Sequence, residues 1–239
     1  MYPMVMRPMI DIVIISYSGG ELLEKAVKSL VTIPIDTEIN IIVQQEKQSI
    51  PKNVNAGFEQ VKSDWFVLFN DDWEAIQENW LDNLLVHAEP KSNIGFISCR
   101  VRFDNGLLNH RGYKISSNGI VGNLGRNEPD AVLEDTPIHY AHPILINSQA
   151  FRELGGYDNA FRGSQFADID FVYRTCKAGY QIFFAGSVPI LHHYNENKST
   201  NAIREQNKKR NSDLFRKKHG FGRKMGYLAK KPISKRKVR

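Results

Sequence analysis

Hydrophobic and polar positions fall into blocks that alternate between two periods along the first hundred residues. Residues 9–16 (Met-Ile-Asp-Ile-Val-Ile-Ile-Ser) are β-branched and nearly all apolar, the pattern of a strand covered on both faces. Tyr17-Ser18-Gly19-Gly20 breaks the run. Leu22, Leu23, Ala26, Val27, Leu30 and Val31 then recur at helical spacing over 21–31. Residues 39–43 form a second apolar strand that ends in Gln44-Gln45-Glu46. After Pro51 the pattern predicts a helix over 53–62. Residues 65–69, all apolar, lead directly into Asn70-Asp71-Asp72. A helix over 77–89 would turn Trp80, Leu81, Leu84 and Leu85 inward, and 94–101 reads as a fourth strand. Such β-α-β-α-β-α-β alternation predicts a parallel sheet covered by helices, an α/β fold.

The second half is less regular. Residues 104–135 are rich in Gly and Asn with weak periodicity, which predicts hairpins and loops. A short strand over 141–146, a short helix over 148–154 ending at Gly155-Gly156, and a helix over 169–178 capped by Gly179 follow. Two short strands, 181–185 and 188–191, end in His192-His193. A polar, basic helix over 200–218 stops near Gly220. No internal repeat interrupts this order.

Charge divides the chain. The net charge of the 239 residues is +6, yet residues 201–239 hold 15 Lys/Arg against Glu205 and Asp213, a net +13 that leaves −7 for the rest. A basic end on a mildly acidic body predicts an anionic partner: nucleic acid, lipid headgroups or an acidic polymer. Within it, 221–239 carries eight Lys/Arg and no acid, and its Gly and Pro content predicts a mobile extension. Phe215, Phe221 and Tyr227 interleave with these charges. A hydrophobic fraction of 41% with 24% charged residues is that of a globular protein. No apolar run approaches the ~20 residues of a membrane span, and residues 1–9 lack the apolar core of a secretory signal. Cys99 and Cys176 form neither a metal-type pair nor a disulfide framework. They read as reduced core thiols of a cytoplasmic protein.

The chemistry gathers at the end of the third strand. In an open parallel sheet, ligands bind just beyond the carboxyl ends of the strands, which is where Asp71 and Asp72 fall. Adjacent carboxylates repel unless a positive group lies beside them. A divalent cation carrying phosphate oxygens is one such group, because hard cations take oxygen ligands. Asn-Asp-Asp is equally ordinary turn chemistry, so the residues alone leave both readings open.

The ordered set of segments resembles a family 2 glycosyltransferase of the GT-A fold over roughly residues 9–220. Val13-Ile14-Ile15-Ser16-Tyr17 with Glu21-Leu22-Leu23 and Ser29-Leu30 is similar to that family's first strand and helix, and Lys52-Asn53-Val54-Asn55-Ala56-Gly57 to its Asn-x-Gly helix start. Phe69-Asn70-Asp71-Asp72 resembles its DxD-type motif in a variant with Asn first. Residues 103–106 and 110–112 resemble a segment of rhamnosyltransferase-like members. Ala150-Phe151 through Gly155-Gly156-Tyr157-Asp158 and Phe161, then Ala167-Asp168-Ile169-Asp170-Phe171, follow the family's later motifs. A strand ending in His closes the series.

The resemblance implies a Rossmann-like, mostly parallel sheet flanked by helices, with a smaller mixed region on the acceptor side. It implies one GT-A domain over 1–220, a nucleotide-sugar half (9–100) and an acceptor half (101–220), followed by the basic extension 221–239. It implies transfer of a hexosyl or deoxyhexosyl group from a nucleotide diphosphate to a hydroxyl, with inversion. Asp72 would bind Mn2+ or Mg2+ and Asp71 would support the metal or contact the donor. His192, ahead of His193, would complete the metal shell. Asp168 would be the general base, the alternative being an N-cap for the next helix; Asp170 reads as a first-turn helix acid. Gln44 stands where an Asp usually reads the base, and its amide suits uracil or thymine, so UDP- or dTDP-linked donors are favoured. Ser16 and Tyr17 would line the other side of that pocket, with Asn70, Lys52 and Asn55 as further donor contacts and Trp73, Tyr157 and His142 facing sugar or acceptor. Ala167 departs from a usual carboxylate. An anionic acceptor (lipid-linked glycan, surface polysaccharide or DNA) and a place at the inner face of a membrane fit the basic end. The rival readings are a non-catalytic sugar-nucleotide-binding relative, for which Ala167 and Gln44 argue, and a nucleotidyltransferase, which would need a triphosphate loop that the first strand does not supply.

Overall fold

The structure, a computed structural model, describes residues 9–17, 19–45, 49–88, 93–163, 165–193 and 202–221. The apolar run expected to open the fold is β1 (Ile10–Ser16), buried at every position. Its alternate side chains serve opposite faces of the sheet: Ile12 and Ile14 enter one core, Val13 and Ile15 the other. Gly19 and Gly20, at φ 68° and 82°, turn the chain into α1 (Glu21–Thr32), which buries Ala26, Ser29 and Leu30. Next come β2 (Ile39–Gln45), α2 (Ile50–Phe58) with Pro51 in its first turn, β3 (Trp65–Asn70) and β4 (Trp73–Ala75). The helix expected over 77–89 is shorter, α3 (Trp80–Leu85), and buries Trp80, Leu81 and Leu84. The fourth long strand is β5 (Ile94–Phe103).

The Gly- and Asn-rich stretch folds into short strands, β6 (Leu108–His110), β7 (Tyr113–Ile115), β8 (Val121–Asn123) and β9 (Thr136–Ile138). After them come β10 (Leu145–Asn147) and α4 (Ser148–Glu153), then α5 (Ala167–Lys177), β11 (Gln181–His192) and α6 (Ala202–Lys218). The two strands expected over 181–191 are one, with a register irregularity between Ala185 and Pro189 where β11 runs along β5.

Among the described residues the main sheet has the order β2-β1-β3-β10-β5-β11-β4, with β6 beside β5 and β9 beside β11; β7 and β8 pair separately. The long strands β2, β1, β3, β5 and β11 share one direction. The parallel sheet read from the first hundred residues has an insertion the pattern did not show: β10 lies antiparallel between β3 and β5. Its three residues come from the irregular half, so no local periodicity places them there.

Helices cover both faces. α1 and α3 pack on one side with Ile12, Val67 and Phe69. α2, α4, α5 and α6 pack on the other through Val54, Phe151, Phe171 and Phe215. Phe221, expected to open the basic extension, instead joins this second layer, its ring 5.5 Å from Phe215 and 5.3 Å from Tyr173. The rest of the extension, 222–239, lies outside the described residues. This three-layer stack brings the ends of β1, β3 and β11 to one edge of the sheet.

Candidate active site

Backbone pairing brings Asn70, Asp71 and Asp72 to that edge. Asn70 sits opposite Ile15 in the β1 register, and the Asp71 N–H donates to the Ile15 carbonyl at 3.1 Å. The Ser16 hydroxyl donates to Asp71 Oδ2 at 2.7 Å and accepts from the Gly19 N–H at 3.0 Å. Ser16 therefore orients Asp71. Tyr17 beside it is exposed.

β11 returns to the same edge from the far half of the chain. It pairs antiparallel with β4, His192 opposite Trp73, and the His193 N–H donates to the Asp72 carbonyl at 2.8 Å. The two histidines part company. His192 Nε2 lies 3.3 Å from Asp72 Oδ2. His193 turns outward between Glu74 (2.7 Å) and Asp104 (3.2 Å). Burial pulls the His193 imidazole down, and its two carboxylates outweigh this and hold it above its ordinary value. A chain of amide and guanidinium fixes the His192 ring. Arg126 Nη1 donates to Asn109 Oδ1 at 2.7 Å, and Asn109 Nδ2 meets His192 Nδ1 at 2.9 Å. With Nδ1 accepting, the ring proton sits on Nε2 and faces Asp72.

Asp72 Oδ2 and His192 Nε2 together are a fitting donor pair for a cation such as Mn2+, which takes carboxylate and imidazole ligands. A metal-bound histidine commonly donates its other ring N–H to an acceptor, whereas Asn109 donates to Nδ1 here. A cation at Nε2 would therefore require the ring proton to move to Nδ1 and the Asn109 amide to turn its oxygen toward it. Among the described residues no group of three or more His, Cys, Asp or Glu is arranged to hold a metal. The pair thus leaves further positions to ligands from outside the chain, as a diphosphate would supply.

Asp168 reaches the site from α5. The helix starts at Ala167, after Phe166 at φ 71°, so Asp168 lies inside the first turn. This corrects the N-cap alternative, because the helix begins two residues earlier than its apolar spacing indicates. The Asp168 Oδ2 accepts from Tyr113 Oη at 3.1 Å and lies 3.3 Å from His142 Nδ1. Burial raises its carboxyl, but the His142 and Tyr113 contacts and the Ile169 N–H outweigh burial and hold it below its ordinary value. Asp170 is no simple first-turn acid either. It is fully buried, with Arg174 at 2.7 Å, His219 at 2.8 Å and Lys218 at 2.9 Å.

Two cavities meet at this edge. The smaller, about 180 Å³, is lined by Tyr17, Asp71, Asp72, Tyr157 and Ala167 among others. The larger, about 650 Å³, is lined by Trp73, Asn109, Tyr113, Arg126, Arg204 and Lys208 among others. Asn70, His142 and Asp168 line both. Tyr157 Oη is buried with no partner among the described residues, an uncommon state for a polar atom.

Asn55, Lys52 and Gln44 are not among the residues lining the two cavities. Asn55 donates to the Tyr157 carbonyl at 2.8 Å and accepts from the Tyr157 N–H at 2.9 Å. Its amide is spent on tying α2 to the turn after α4, which is structural work. Lys52 is exposed on α2 between Ile50 and Val54, which line the small cavity, but is not itself part of that lining. Gln44 is buried in β2 opposite Ile15 and is likewise not part of that lining. Tyr113, Asn109 and Arg126 enter the site with no signal in the sequence, since all three come from the aperiodic stretch.

The mostly parallel sheet of this order with helices on both faces is that of the GT-A glycosyltransferase fold. The chain belongs to glycosyl transferase family 2, whose model matches residues 12–155. Among curated relatives it is 23% identical over 164 residues to the O-antigen biosynthesis protein RfbC of Myxococcus xanthus, covering 63% of this chain and 12% of that protein. It is also 23% identical over 148 residues to the uncharacterized protein y4gI of Sinorhizobium fredii, covering 58% of this chain and 16% of that protein. It thus spans under a fifth of either relative. Among solved structures it resembles GalNAc-T7 crystallised with UDP, GalNAc and Mn2+ (TM-score 0.60, 13% identity, 79% of this chain and 44% of that one). It also resembles the catalytic domain of Drosophila beta1,4galactosyltransferase 7 with xylobiose (TM-score 0.54, 14% identity, 84% and 79%). No helix among the described residues is long and apolar enough to cross a membrane.

Proposed function

We propose that the chain transfers a hexosyl or deoxyhexosyl group from a nucleoside-diphosphate sugar to an acceptor hydroxyl, with inversion and with the help of a divalent cation. The observation that carries this reading is the position of Asp168 in the wall shared by both cavities, with Asp72 in the smaller and His192 in the larger. The smaller cavity is the donor side. Asp72 and His192 would hold Mn2+ or Mg2+, Ser16 keeps Asp71 directed at the donor, and Tyr157 Oη offers a hydrogen bond that it lacks otherwise. When bound, the cation neutralises charge gathering on the leaving diphosphate. UDP- or dTDP-linked sugars are the favoured donors. The UDP and Mn2+ of the GalNAc-T7 structure agree with this class of donor.

The larger cavity is the acceptor side. The acceptor oxygen attacks the anomeric carbon as the bond to the diphosphate breaks, the bonding pair leaves with the diphosphate, and the hydroxyl proton passes to Asp168. An ionised carboxylate suits that step, and base catalysis of this kind contributes ~10²–10⁴-fold. Arg126, Arg204 and Lys208 on the cavity wall favour an anionic acceptor, such as a lipid-linked or surface glycan. The basic residues beyond 221 fit a peripheral place on the cytoplasmic face of a membrane, with DNA as the other polyanion to test.

Thermal unfolding with Mn2+ and a panel of UDP- and dTDP-sugars tests the reading, because a true donor stabilises by mass action. The expected result is a raised midpoint with one donor, hydrolysis or transfer of that donor, and loss of turnover in Asp168→Asn. Stabilisation without turnover would instead mark a sugar-nucleotide-binding relative. Stabilisation only by a nucleoside triphosphate would point to nucleotidyl transfer. A chain ending at Phe221 that binds DNA and anionic vesicles as the full chain does would remove the role given to the basic extension.

A further inference from the structure

Both side-chain contacts on the Asp168 carboxylate fall on one oxygen. Tyr113 Oη and His142 Nδ1 each reach Oδ2, at 3.1 Å and 3.3 Å. Tyr113 Oη and His142 Nδ1 also lie 3.3 Å apart, so with the phenol proton on Asp168 the imidazole Nδ1–H is shared between the carboxylate and the phenol oxygen. Neither ring is free to drift. The backbone on either side of His142 is pinned, at Tyr140, whose carbonyl accepts from the Tyr113 N–H, and at Ile144, whose N–H donates to Ile97 and whose carbonyl accepts from Leu68. Its ring packs edge-on to Trp73 at 5.2 Å and beside His110 at 5.9 Å. Tyr113 is buried, stacks on His110 at 5.4 Å, and its N–H donates to the Tyr140 carbonyl.

We propose that His142 is the positioning residue of the proton acceptor: with Tyr113 it clamps Oδ2 of Asp168 and leaves Oδ1 for the acceptor hydroxyl. This rests on Asp168 being the base. A carboxylate fixed by one oxygen presents the other in a single direction, and misplacement by about 1 Å costs ~10²-fold in rate. The titratable groups facing Asp168 are Tyr113, His142, His110 and Tyr157, with Arg126 acting on His110. Burial and the Asp168 charge hold the Tyr113 phenol well above its ordinary value, so it stays a donor. Ala167 brings no second carboxylate to the wall.

The test separates the imidazole's Nδ1 from the rest of the ring. In His142→Asn the amide nitrogen stands near the place of Nδ1; in His142→Gln it stands near Nε2; His142→Ala removes both. The full chain is followed in two ways. Carbon-13 carboxyl NMR titrates Asp168, its signal assigned by loss in Asp168→Asn. Turnover is measured with Mn2+ and UDP-glucose, UDP-galactose, UDP-N-acetylglucosamine and dTDP-rhamnose. The expected result is an Asp168 midpoint raised in His142→Ala and His142→Gln and largely restored in His142→Asn. The kcat should fall about 10²-fold in the first two and recover in the third. An unmoved midpoint in His142→Ala overturns the proposal. So does a His142→Asn enzyme as slow as His142→Ala with its midpoint restored, because the ring itself would then take the proton. Full turnover in Asp168→Asn removes the base reading instead, and the titration still decides whether His142 holds the carboxylate.

Discussion

At the scale of single residues, the site is a set of side chains whose neighbours settle their protonation and direction. His192 and His193 are adjacent in sequence and chemically alike, yet one faces Asp72 and the other is drawn into Glu74 and Asp104. Asn109 fixes the first of them. A cation at Nε2 needs the ring proton on Nδ1, so Asn109→Asp, whose carboxylate accepts that proton, should tighten Mn2+ binding about 10–100-fold relative to the wild type. Calorimetric titration in the presence of UDP would read it, and His193→Ala should leave the same affinity nearly unchanged. His110 shows the opposite face of burial. Its ring is enclosed, its Nδ1 has no hydrogen-bond partner among the described residues, and burial beside His142 pushes its pKa down to about 3. The unfolded chain takes up a proton near the ordinary histidine value of ~6.5 that the folded chain refuses. The stability this confers is complete above that value and is lost as pH falls from there toward 3. Urea unfolding at pH 7 and pH 5 should therefore show a smaller acid loss in His110→Phe than in the wild type.

At the scale of elements, close approach decides where helices sit on the sheet. A Cβ on Gly57 would come within 2.4 Å of Val13 Cγ1, so α2 lies against β1 only because that position has no side chain. Gly57→Ala should cost about 1–3 kcal/mol, the range for overpacking a filled core, measurable by chemical unfolding. The shift would carry to the site, because α2 holds Tyr157 through Asn55 and Tyr157 lines the small cavity. The elements built from long periodic runs, β1, α1, β3 and β5, are legible in the sequence because one local pattern suffices to specify each. β10 and α3 are not legible at their true extent. β10 is three residues whose partners, β3 and β5, lie far away in the chain. α3 is cut to six residues although the apolar spacing runs on.

At the scale of the molecule, a buried ionic cluster joins the C-terminal helix to the site. Asp170 of α5 meets Lys218 and His219 at the end of α6 as well as Arg174. The other end of α6 brings Arg204 and Lys208 to the large cavity. The helix itself is polar and basic along its length and buries Asn211 and Phe215, so little apolar surface holds it. Lys218 and Arg174 keep 29% and 18% of their side chains exposed, so the loss of Asp170 falls at the lower end, about 3 kcal/mol, of the cost of breaking a buried ion cluster. Asp170→Ala should lower stability by that amount in urea unfolding. It should also raise the KM for acceptor more than for donor, because the wall it supports belongs to the larger cavity.

The sequence by itself determined the α/β alternation, the strand that ends in Asn70-Asp71-Asp72 and the likeness to glycosyltransferases, because each rests on residues close together in the chain. It also singled out Asp72, His192 and Asp168, which the fold brings to one edge of the sheet. Only the tertiary structure decided how they are held. Asp72 meets His192 across 120 residues of chain, and Asp168 meets Tyr113 and His142 across 55 and 26. No local period encodes such distances. They follow from β11 returning beside β4 and from an aperiodic stretch folding over the strand ends, and both are products of packing between distant segments.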